Sequence, residues 1–394
     1  MSDALLYLTY IGVLLLIGLI CTILAKKIRV PNVLLLIIAG ILLNKISYRG
    51  EQLIYFPEVF LTSLGILALV MIIFDSTSNF KLKEFDQATV PAIELTGTFL
   101  ATCIVFLSLS VHYLYSVGWG LSILFATLMA GTAADVVLSM MPTTKNKLLQ
   151  LLEVESIINT PIVVLIPFIV LDFMKSVQTQ LLMTKFLEQI IPFLQQIVTG
   201  IGAGVLMGII IFKVMKRWYS EKLSPMALIV AALLTYVLAE NLGGNGVLAV
   251  TTIGLLFGFV YVKQKQAITG FSAVFSMTLE ILLFILVGLI VDIPITVHFI
   301  VFSIGLFIVY LCARYFAVQL TFGKAYHIKE KMFMTLNSPK GIAVAVVVFL
   351  LATREVPGIE RINDLIIAFM LYSIVVSSIV ARFSKYFIKT EIIK

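Results

Sequence analysis

The chain has 394 residues, of which 61% are apolar and only 12% charged, with a net charge of +7 and a mean hydropathy of +1.11. Water-soluble domains carry roughly a quarter charged residues and under half apolar ones, so a soluble globular protein is excluded. Apolar runs of about twenty residues recur, the length that a helix needs to cross a bilayer. They are too long for the alternating strands of a membrane barrel, and we predict an all-α polytopic membrane protein.

The apolar runs predict thirteen membrane spans in chain order. We place them at about 4–25, 31–44, 55–75, 87–111, 119–142, 150–172, 188–213, 224–240, 245–262, 272–291, 295–319, 331–353 and 364–388. The second span looks short for a straight membrane helix. The first follows "MSDA", which lacks the positive leader of a cleaved signal peptide, so we expect it to be a true first helix.

Basic residues distribute unequally between the two sets of connections. The connections after odd-numbered spans, together with the C-terminal tail, hold 21 Lys or Arg residues with Arg314 included, against six on the other side. Because basic loops stay cytoplasmic, we expect the N-terminus outside and the C-terminus in the cytoplasm. The net charge then reflects topology and attraction to anionic membrane lipids, and no nucleic-acid partner is expected.

Two segments of the chain resemble each other at a distance of 214 residues. In "VPNVLLLIIAGILLNK" and "GGNGVLAVTTIGLLFG" four positions match. The matched pairs are Val33 with Val247, Leu34 with Leu248, Gly40 with Gly254, and Leu42 with Leu256. The offset covers seven spans, an odd number, so the two copies cross the membrane in opposite directions. Such inverted-topology repeats are a recurring plan of transporters.

Spans 5 and 12 each carry residues that interrupt a helix. In span 5, "LMAGTAADVVLSMMP" places Gly131, Thr132 and Asp135 at mid-membrane, and we expect unwound backbone whose carbonyl groups can coordinate a cation. In span 12, "TLNSPKGIAVAVVV" places Lys340 between a proline and a glycine, which disrupt helical hydrogen bonding. Paired interrupted helices in corresponding positions of two halves point to a transport site.

Span 6 contains a polar wedge within "EVESIINTPIVVLIPF". Glu155 and Asn159 are four residues apart, as are Ser156 and Thr160, so a helix places all four on one side. Pro161 removes one backbone hydrogen bond and biases Thr160 away from helical dihedrals. The wedge is either part of an ion site or a set of polar side chains that hold two helices together by hydrogen bonds.

Other polar residues of the spans give weaker signals. We interpret Asp75 as an interfacial carboxylate at a helix end, and Glu94 and Glu280 as structural partners, although an ionisable residue inside a membrane is a functional candidate by default. Arg314 is expected to make a helix-end or interdomain contact. The three cysteines show no metal or disulfide spacing, so we expect no cofactor. Without a nucleophile motif, an enzyme is not expected either.

These motifs together resemble the cation–proton antiporter superfamily, and most closely its electroneutral branch of bacterial and archaeal sodium/proton exchangers. Six segments carry the likeness in order along nearly the whole chain: "VPNVLLLIIAGILL", "IIFDSTSNF", "GTAADVVLS", "ESIINT", "ILLFILVGLIVDI" and "SPKGIAVA". The resemblance implies exchange of Na⁺ or K⁺ for protons by alternating access. It also implies a homodimer, with scaffold helices in 1–80 and 224–292, a mobile core with crossed broken helices in 86–175 and 295–388, and a linker helix in 186–217.

Residue by residue, the resemblance assigns a cation site to one set of side chains. The set is Thr132, Asp135, Glu155, Ser156 and Asn159, with Thr160 at the end of the motif. Lys340 stands where that branch usually has arginine, and it is expected to pair with Glu155 or Asp75.

The chain departs from the family pattern at Thr160, where the motif has an aspartate that binds cation and proton alternately. Threonine can coordinate a cation through its hydroxyl group but does not titrate near neutral pH. Three hypotheses follow. The titrating role has moved to Asp135 or Glu155, or the coupling has changed to that of a uniporter, channel or ion–solute symporter, or the chain is a non-transporting sensor or subunit.

Overall fold

The computed structural model describes residues 3–28, 30–48, 51–52, 54–78, 85–133, 146–177, 182–218, 220, 223–259, 265–290, 294, 296–352 and 358–388. One two-stranded hairpin pairs Ser47–Tyr48 with Glu51–Gln52, so that Ser47 lies opposite Gln52. The other regular elements in the described ranges are helices, and the predicted all-α class is confirmed.

Fifteen helices follow in chain order within these ranges. They are α1 (Asp3–Ile28), α2 (Asn32–Asn44), α3 (Glu58–Ser78), α4 (Phe85–Tyr115), α5 (Trp119–Met129), α6 (Lys147–Val177), α7 (Leu182–Arg217), α8 (Leu223–Asn241), α9 (Gly246–Phe259), α10 (Lys265–Ile290), α11 (Val297–Phe322), α12 (Ile328–Leu336), α13 (Ile342–Ala352), α14 (Ile359–Arg382) and α15 (Ser384–Phe387).

These helices fall on the predicted spans. In the described part of the chain, nine helices are long and apolar enough to cross a membrane, and four shorter apolar helices accompany them. The second span is short, as expected, because α2 has only 13 residues. Span 12 is divided between α12 and α13. Large apolar side chains such as Leu8 and Ile23 are 64% and 59% exposed, which suits contact with lipid. The number of thirteen crossings stays a prediction.

The chain divides into two compact units. The first consists of Met1–Gly65, Gln87–Thr160 and Glu280–Lys394, and the second of Ile66–Asp86 and Pro161–Leu279. The first unit contains every described residue of the predicted cation site. The predicted division into scaffold, core and linker helices stays a prediction.

Close helix contacts reproduce the predicted inverted repeat. In the first unit, Gly40 on α2 faces Gly288 on α10: a Cβ at Gly40 would lie 2.8 Å from the Cα of Gly288. In the second unit, Gly254 on α9 faces the Phe74 carbonyl and the Thr77 hydroxyl on α3, at 3.3 and 2.0 Å from such a Cβ. The same 214 residues separate Gly40 from Gly254 and Phe74 from Gly288. The two contacts are therefore equivalent under the repeat that the sequence predicts.

A tight turn between α11 and α12 reverses the chain, so that α12 packs against α11. This turn determines where the helix break in span 12 lies. The turn begins at Gly323, whose φ of +47° lies in the left-handed region that favours glycine. The Lys331 ammonium donates to the Gly323 carbonyl and, at 2.8 Å, to the Gln319 side chain. The backbone N–H of His327 donates to Glu330 at 2.9 Å and caps α12. Residues 337–341 consequently lie beside the middle of α11.

The helix crossing at Gly40 generates a stability prediction. A methyl group there would lie 2.2 Å from the backbone oxygen of Ile285, which cannot swing away as a side chain does. We expect Gly40→Ala to lower the free energy of unfolding by roughly 1–3 kcal/mol, measured by thermal unfolding in detergent. Gly97→Ala on α4 is the control, because no atom lies within 4 Å of its added methyl. An equal loss in both variants would contradict the crossing.

Candidate functional site

The two predicted helix interruptions lie in contact with each other. α5 ends at Met129, and the chain at 131–133 is not helical. Residues 337–341 separate α12 from α13. The N–H of Ala133 donates to the Pro339 carbonyl at 2.8 Å, and a Cβ at Gly341 would lie 2.1 Å from the Ala133 Cβ. The predicted crossing of broken helices in spans 5 and 12 is therefore confirmed.

Three residues predicted from the sequence meet at the first break. The Asn159 amide donates to the Ala130 carbonyl at 2.9 Å and to the Thr132 hydroxyl oxygen at 3.1 Å. The Thr132 hydroxyl in turn donates to Oε1 of Glu155 at 3.3 Å. Glu155 and Asn159 are each 1% exposed, so the wedge on α6 is buried against the unwound end of α5. Ser156, also buried, lies on the same helix.

Glu155 forms a bidentate ion pair with Arg314 on α11. The two terminal nitrogens of the guanidinium donate to Oε1 and Oε2 at 2.6 and 2.7 Å. Both side chains are buried, and the guanidinium carbon lies 4.5 Å from the centre of the Phe99 ring. Parallel hydrogen bonds between arginine and carboxylate are among the strongest that proteins make. The pair neutralises both charges away from water.

Lys340 makes contacts different from those expected. Its ammonium donates to the backbone carbonyls of Met129 and Gly131 at 2.5 and 2.6 Å, and to the Tyr310 hydroxyl at 2.7 Å. Arg314, not Lys340, is the basic residue that donates to Glu155, and the predicted pairing of Lys340 with Glu155 stays a prediction. Asp75, the other expected partner, lies on α3, and its pairing with Lys340 stays a prediction.

Thr160 remains in a regular helix. α6 is helical from Lys147 to Val177, so the expectation that Pro161 moves Thr160 out of helical dihedrals is wrong. The proline removes one hydrogen bond, and the rest of the long helix persists. The half-buried Thr160 donates its hydroxyl hydrogen to the Ser156 carbonyl at 2.8 Å, a common bond of threonine in helices. Its predicted contact with a cation stays a prediction, and Asp135 lies outside the described residues.

Arg314 and Tyr310 are the site residues that the sequence analysis missed. Arg314 was counted as a cytoplasmic loop charge, yet it is fully buried, and removing it leaves twenty basic residues against six. The signal was present in "FIVYLCARYFAVQL", where an arginine interrupts a long apolar run. Tyr310, one turn earlier, had no such signal. Its hydroxyl donates to the side chain and the carbonyl of Ser338 at 2.9 and 3.2 Å.

Buried charges beside two crossed helix breaks, in a helical membrane protein with an inverted repeat, define the architecture of a secondary transporter. The chain belongs to the family described as "Sodium/hydrogen exchanger, transmembrane", whose sequence pattern matches residues 12–385.

The chain is similar to several named relatives, and its fold is similar to that of a solved structure. The chain is 24% identical to the Na(+)/H(+) antiporter NhaH of Halobacillus aidingensis over 95% of this chain and 96% of that protein. It is 25% identical to the K(+)/H(+) antiporter NhaP of Alkalimonas amylolytica over 71% of this chain. The structure of the sodium proton antiporter MjNhaP1 from Methanocaldococcus jannaschii matches with a TM-score of 0.80 at 17% identity, over 98% of both chains.

The relatives differ in length from this chain. The matched region covers 49% of the Alkalimonas protein and 61% of the K(+)/H(+) antiporter NhaP2 of Shewanella baltica. The chain therefore spans about half to three fifths of the length of these two relatives.

The ion pair on Glu155 generates the second prediction. We expect Glu155→Gln to lower the stability of the fold by about 3–5 kcal/mol, because it leaves the Arg314 charge buried without its partner. Thermal unfolding in detergent measures the loss. Glu94→Gln is the matched control, because Glu94 is an exposed carboxylate on α4. Substituting both partners, as Glu155→Met with Arg314→Met, should recover part of the loss, and a purely additive double variant would contradict the pairing.

Proposed function

We propose that this protein exchanges a monovalent cation, Na⁺ or K⁺, for protons across a membrane by alternating access. The observation that carries the proposal is the pair of crossed breaks. They leave backbone carbonyls and the Thr132 hydroxyl beside paired charges, where water is excluded. Carbonyl and hydroxyl oxygens can replace the hydration shell of a small cation, and unwound helices supply them in transporters. The named relatives, described as K⁺/H⁺ and Na⁺/H⁺ antiporters, support the same reaction.

Asp135 is the proposed exchanging carboxylate. Among the described residues of the site, Glu155 contributes one negative charge, and Arg314 and Lys340 contribute two positive charges. An unbalanced charge in a low-dielectric interior costs several kcal/mol, so one more anion is required. Asp135 follows Thr132 by three residues in the sequence. Glu155 is the weaker candidate, because Arg314 binds both of its oxygens.

The proposed cation ligands are those predicted from the sequence: Thr132, Asp135, Glu155, Ser156, Asn159 and Thr160. In this assignment Glu155 acts chiefly through its negative charge and by holding Thr132. The scaffold and core helices move against each other as the family resemblance implies. A homodimer, an N-terminus outside and a cytoplasmic C-terminus complete the proposal.

A second candidate function rests on Thr160. Its hydroxyl bonds to the Ser156 carbonyl and cannot release a proton near neutral pH. An antiporter fold without an exchanging group would conduct cations as a uniporter or channel, or couple them to another solute. A protein that senses ions without transporting them is the third candidate.

Cation-dependent proton flux tests the proposal. The purified protein is placed in liposomes that contain a pH-sensitive dye, and Na⁺, K⁺ or Li⁺ is added outside. We expect proton flux with at least one cation, and its loss in Asp135→Asn, because an amide cannot exchange a proton for a cation. Glu94→Gln should retain the flux, since that carboxylate lies on an exposed helix face.

The same preparation separates the alternatives. Cation uptake that builds a membrane voltage and ignores pH would show a uniporter or channel instead of an exchanger. Silence of the wild type in every cation, with flux restored by Thr160→Asp, would show a non-transporting protein on the transporter fold.

A further inference from the structure

Three oxygen atoms of the described residues surround the Lys340 ammonium. It is fully buried, and each of its three N–H bonds is directed to a different oxygen. These are the carbonyl oxygens of Met129 and Gly131 and the hydroxyl oxygen of Tyr310, at 2.5, 2.6 and 2.7 Å. The ammonium also lies 4.1 Å from the centre of the Tyr310 ring, within the range of a cation–π contact.

The three oxygens belong to the end of one helix, the residues just after it, and a tyrosine that also bonds to Ser338. Met129 is the last residue of α5, and Gly131 follows in the non-helical segment, where its N–H donates to the Leu128 carbonyl at 3.2 Å. Carbonyl groups at the C-terminal end of a helix carry the partial negative charge of the helix dipole. The Tyr310 hydroxyl donates its hydrogen to Ser338, which leaves its oxygen free to accept. All three oxygens therefore present lone pairs to the point that the Lys340 ammonium occupies.

Among the described residues, the hydrogen bonds of this ammonium go to uncharged oxygens. In the described structure Glu155 is bound by Arg314, and Cys103 and Tyr310 are the other titratable side chains near the ammonium. Arg314 lies against the same Phe99 ring as Lys340, at 4.5 Å compared with 5.7 Å from its centre. Lys340 is thus held by carbonyl and hydroxyl oxygens and by ring faces, and backbone carbonyls are also the groups that bind K⁺ in ion filters.

We propose that the Met129, Gly131 and Tyr310 oxygens form a binding site for an ammonium-sized monovalent cation, and that Lys340 is its tethered occupant. K⁺, Rb⁺ and free NH₄⁺ match an ammonium group in charge and approximate size, whereas Na⁺ and Li⁺ are smaller. A smaller ion would draw in oxygens that α5 and α11 hold apart. The inference rests on the proposed function in one respect, because it makes the transported cation the competitor of Lys340.

Removing the tethered cation should open the site to a free one. In Lys340→Met, we expect K⁺, Rb⁺ or NH₄⁺ to raise the Tm by about 3 °C relative to choline, and by more than in the wild type. Na⁺ and Li⁺ should have smaller effects. Adding Tyr310→Phe to Lys340→Met should abolish the K⁺ response, because it removes one of the three ligands.

Lys331→Met provides the matched control. Lys331 is also a buried lysine that donates to a backbone carbonyl and a side-chain oxygen. It lies near the turn between α11 and α12, away from the helix breaks. Its removal should give no response to K⁺ beyond that of the wild type.

Each outcome of the experiment decides the proposal. An equal response to K⁺ and choline in Lys340→Met overturns it, and a stronger response to Na⁺ or Li⁺ overturns the size assignment. If the methionine variant folds poorly, Lys340→Gln is the milder change, since its amide can still donate to two oxygens. Failure of both variants to fold with K⁺, Rb⁺ or NH₄⁺ present also overturns it, because a free cation should replace the tethered one.

Binding is measured without any gradient, so the result is independent of transport. A variant that responds to K⁺, in a protein that shows no proton flux, supports the cation site and contradicts the proposed function. A wild type that transports, with variants that do not respond, leaves the proposed function standing and overturns the cation site.

Discussion

The rest of the site depends on the ion pair between Glu155 and Arg314. In water such a pair contributes little, but inside a membrane neither charge is stable alone. The pair fixes the carboxylate, the carboxylate accepts from Thr132, and Thr132 accepts from Asn159. Asn159 then holds the carbonyl of Ala130. One long-range electrostatic contact, between residues 159 positions apart, thereby anchors the unwound end of α5.

Two kinds of positive charge lie near the same Phe99 ring. The guanidinium of Arg314 is rigid and permanently charged, and both of its terminal nitrogens donate to the Glu155 carboxylate. The ammonium of Lys340 is compact and bound only to carbonyl and hydroxyl oxygens in the described structure. The first arrangement suits a fixed structural charge. The second suits an occupant that another cation can replace, since carbonyl oxygens also bind an alkali ion of similar size.

The positions of the helix breaks were predictable because they depend on local chemistry. Pro339 and Gly341 oppose helical hydrogen bonding wherever they occur, and polar residues near Gly131 mark the corresponding place in the first half. The buried wedge on α6 followed from its four-residue spacing. Pairing across the site was not predictable in the same way. Arg314 lies near the end of a predicted span, so it was counted among the basic residues of the loops.

The hydrogen-bond partners of Lys340 show why contacts across the site could not be predicted from the sequence. Two of them are backbone carbonyls, which every residue possesses and no residue name reveals. The third, Tyr310, looks like any aromatic residue of an apolar helix. A lysine in lipid suggests a carboxylate partner on general grounds, yet broken helices offer an alternative that depends on three-dimensional structure alone. Thr160 illustrates the converse, since the absence of a titrating group is visible in the sequence and its consequence for coupling is not.

The glycine contacts of the repeat restrict how the two halves can change in length. Gly40 and Phe74 are 34 residues apart, and so are Gly254 and Gly288. The interval from Gly40 to Phe74 contains a connection and most of the helix that follows it, and so does the interval from Gly254 to Gly288. Each interval begins at a residue of one glycine contact and ends at a residue of the other. The chain length between these residues is therefore the same in both halves, as the repeat predicted from the sequence requires.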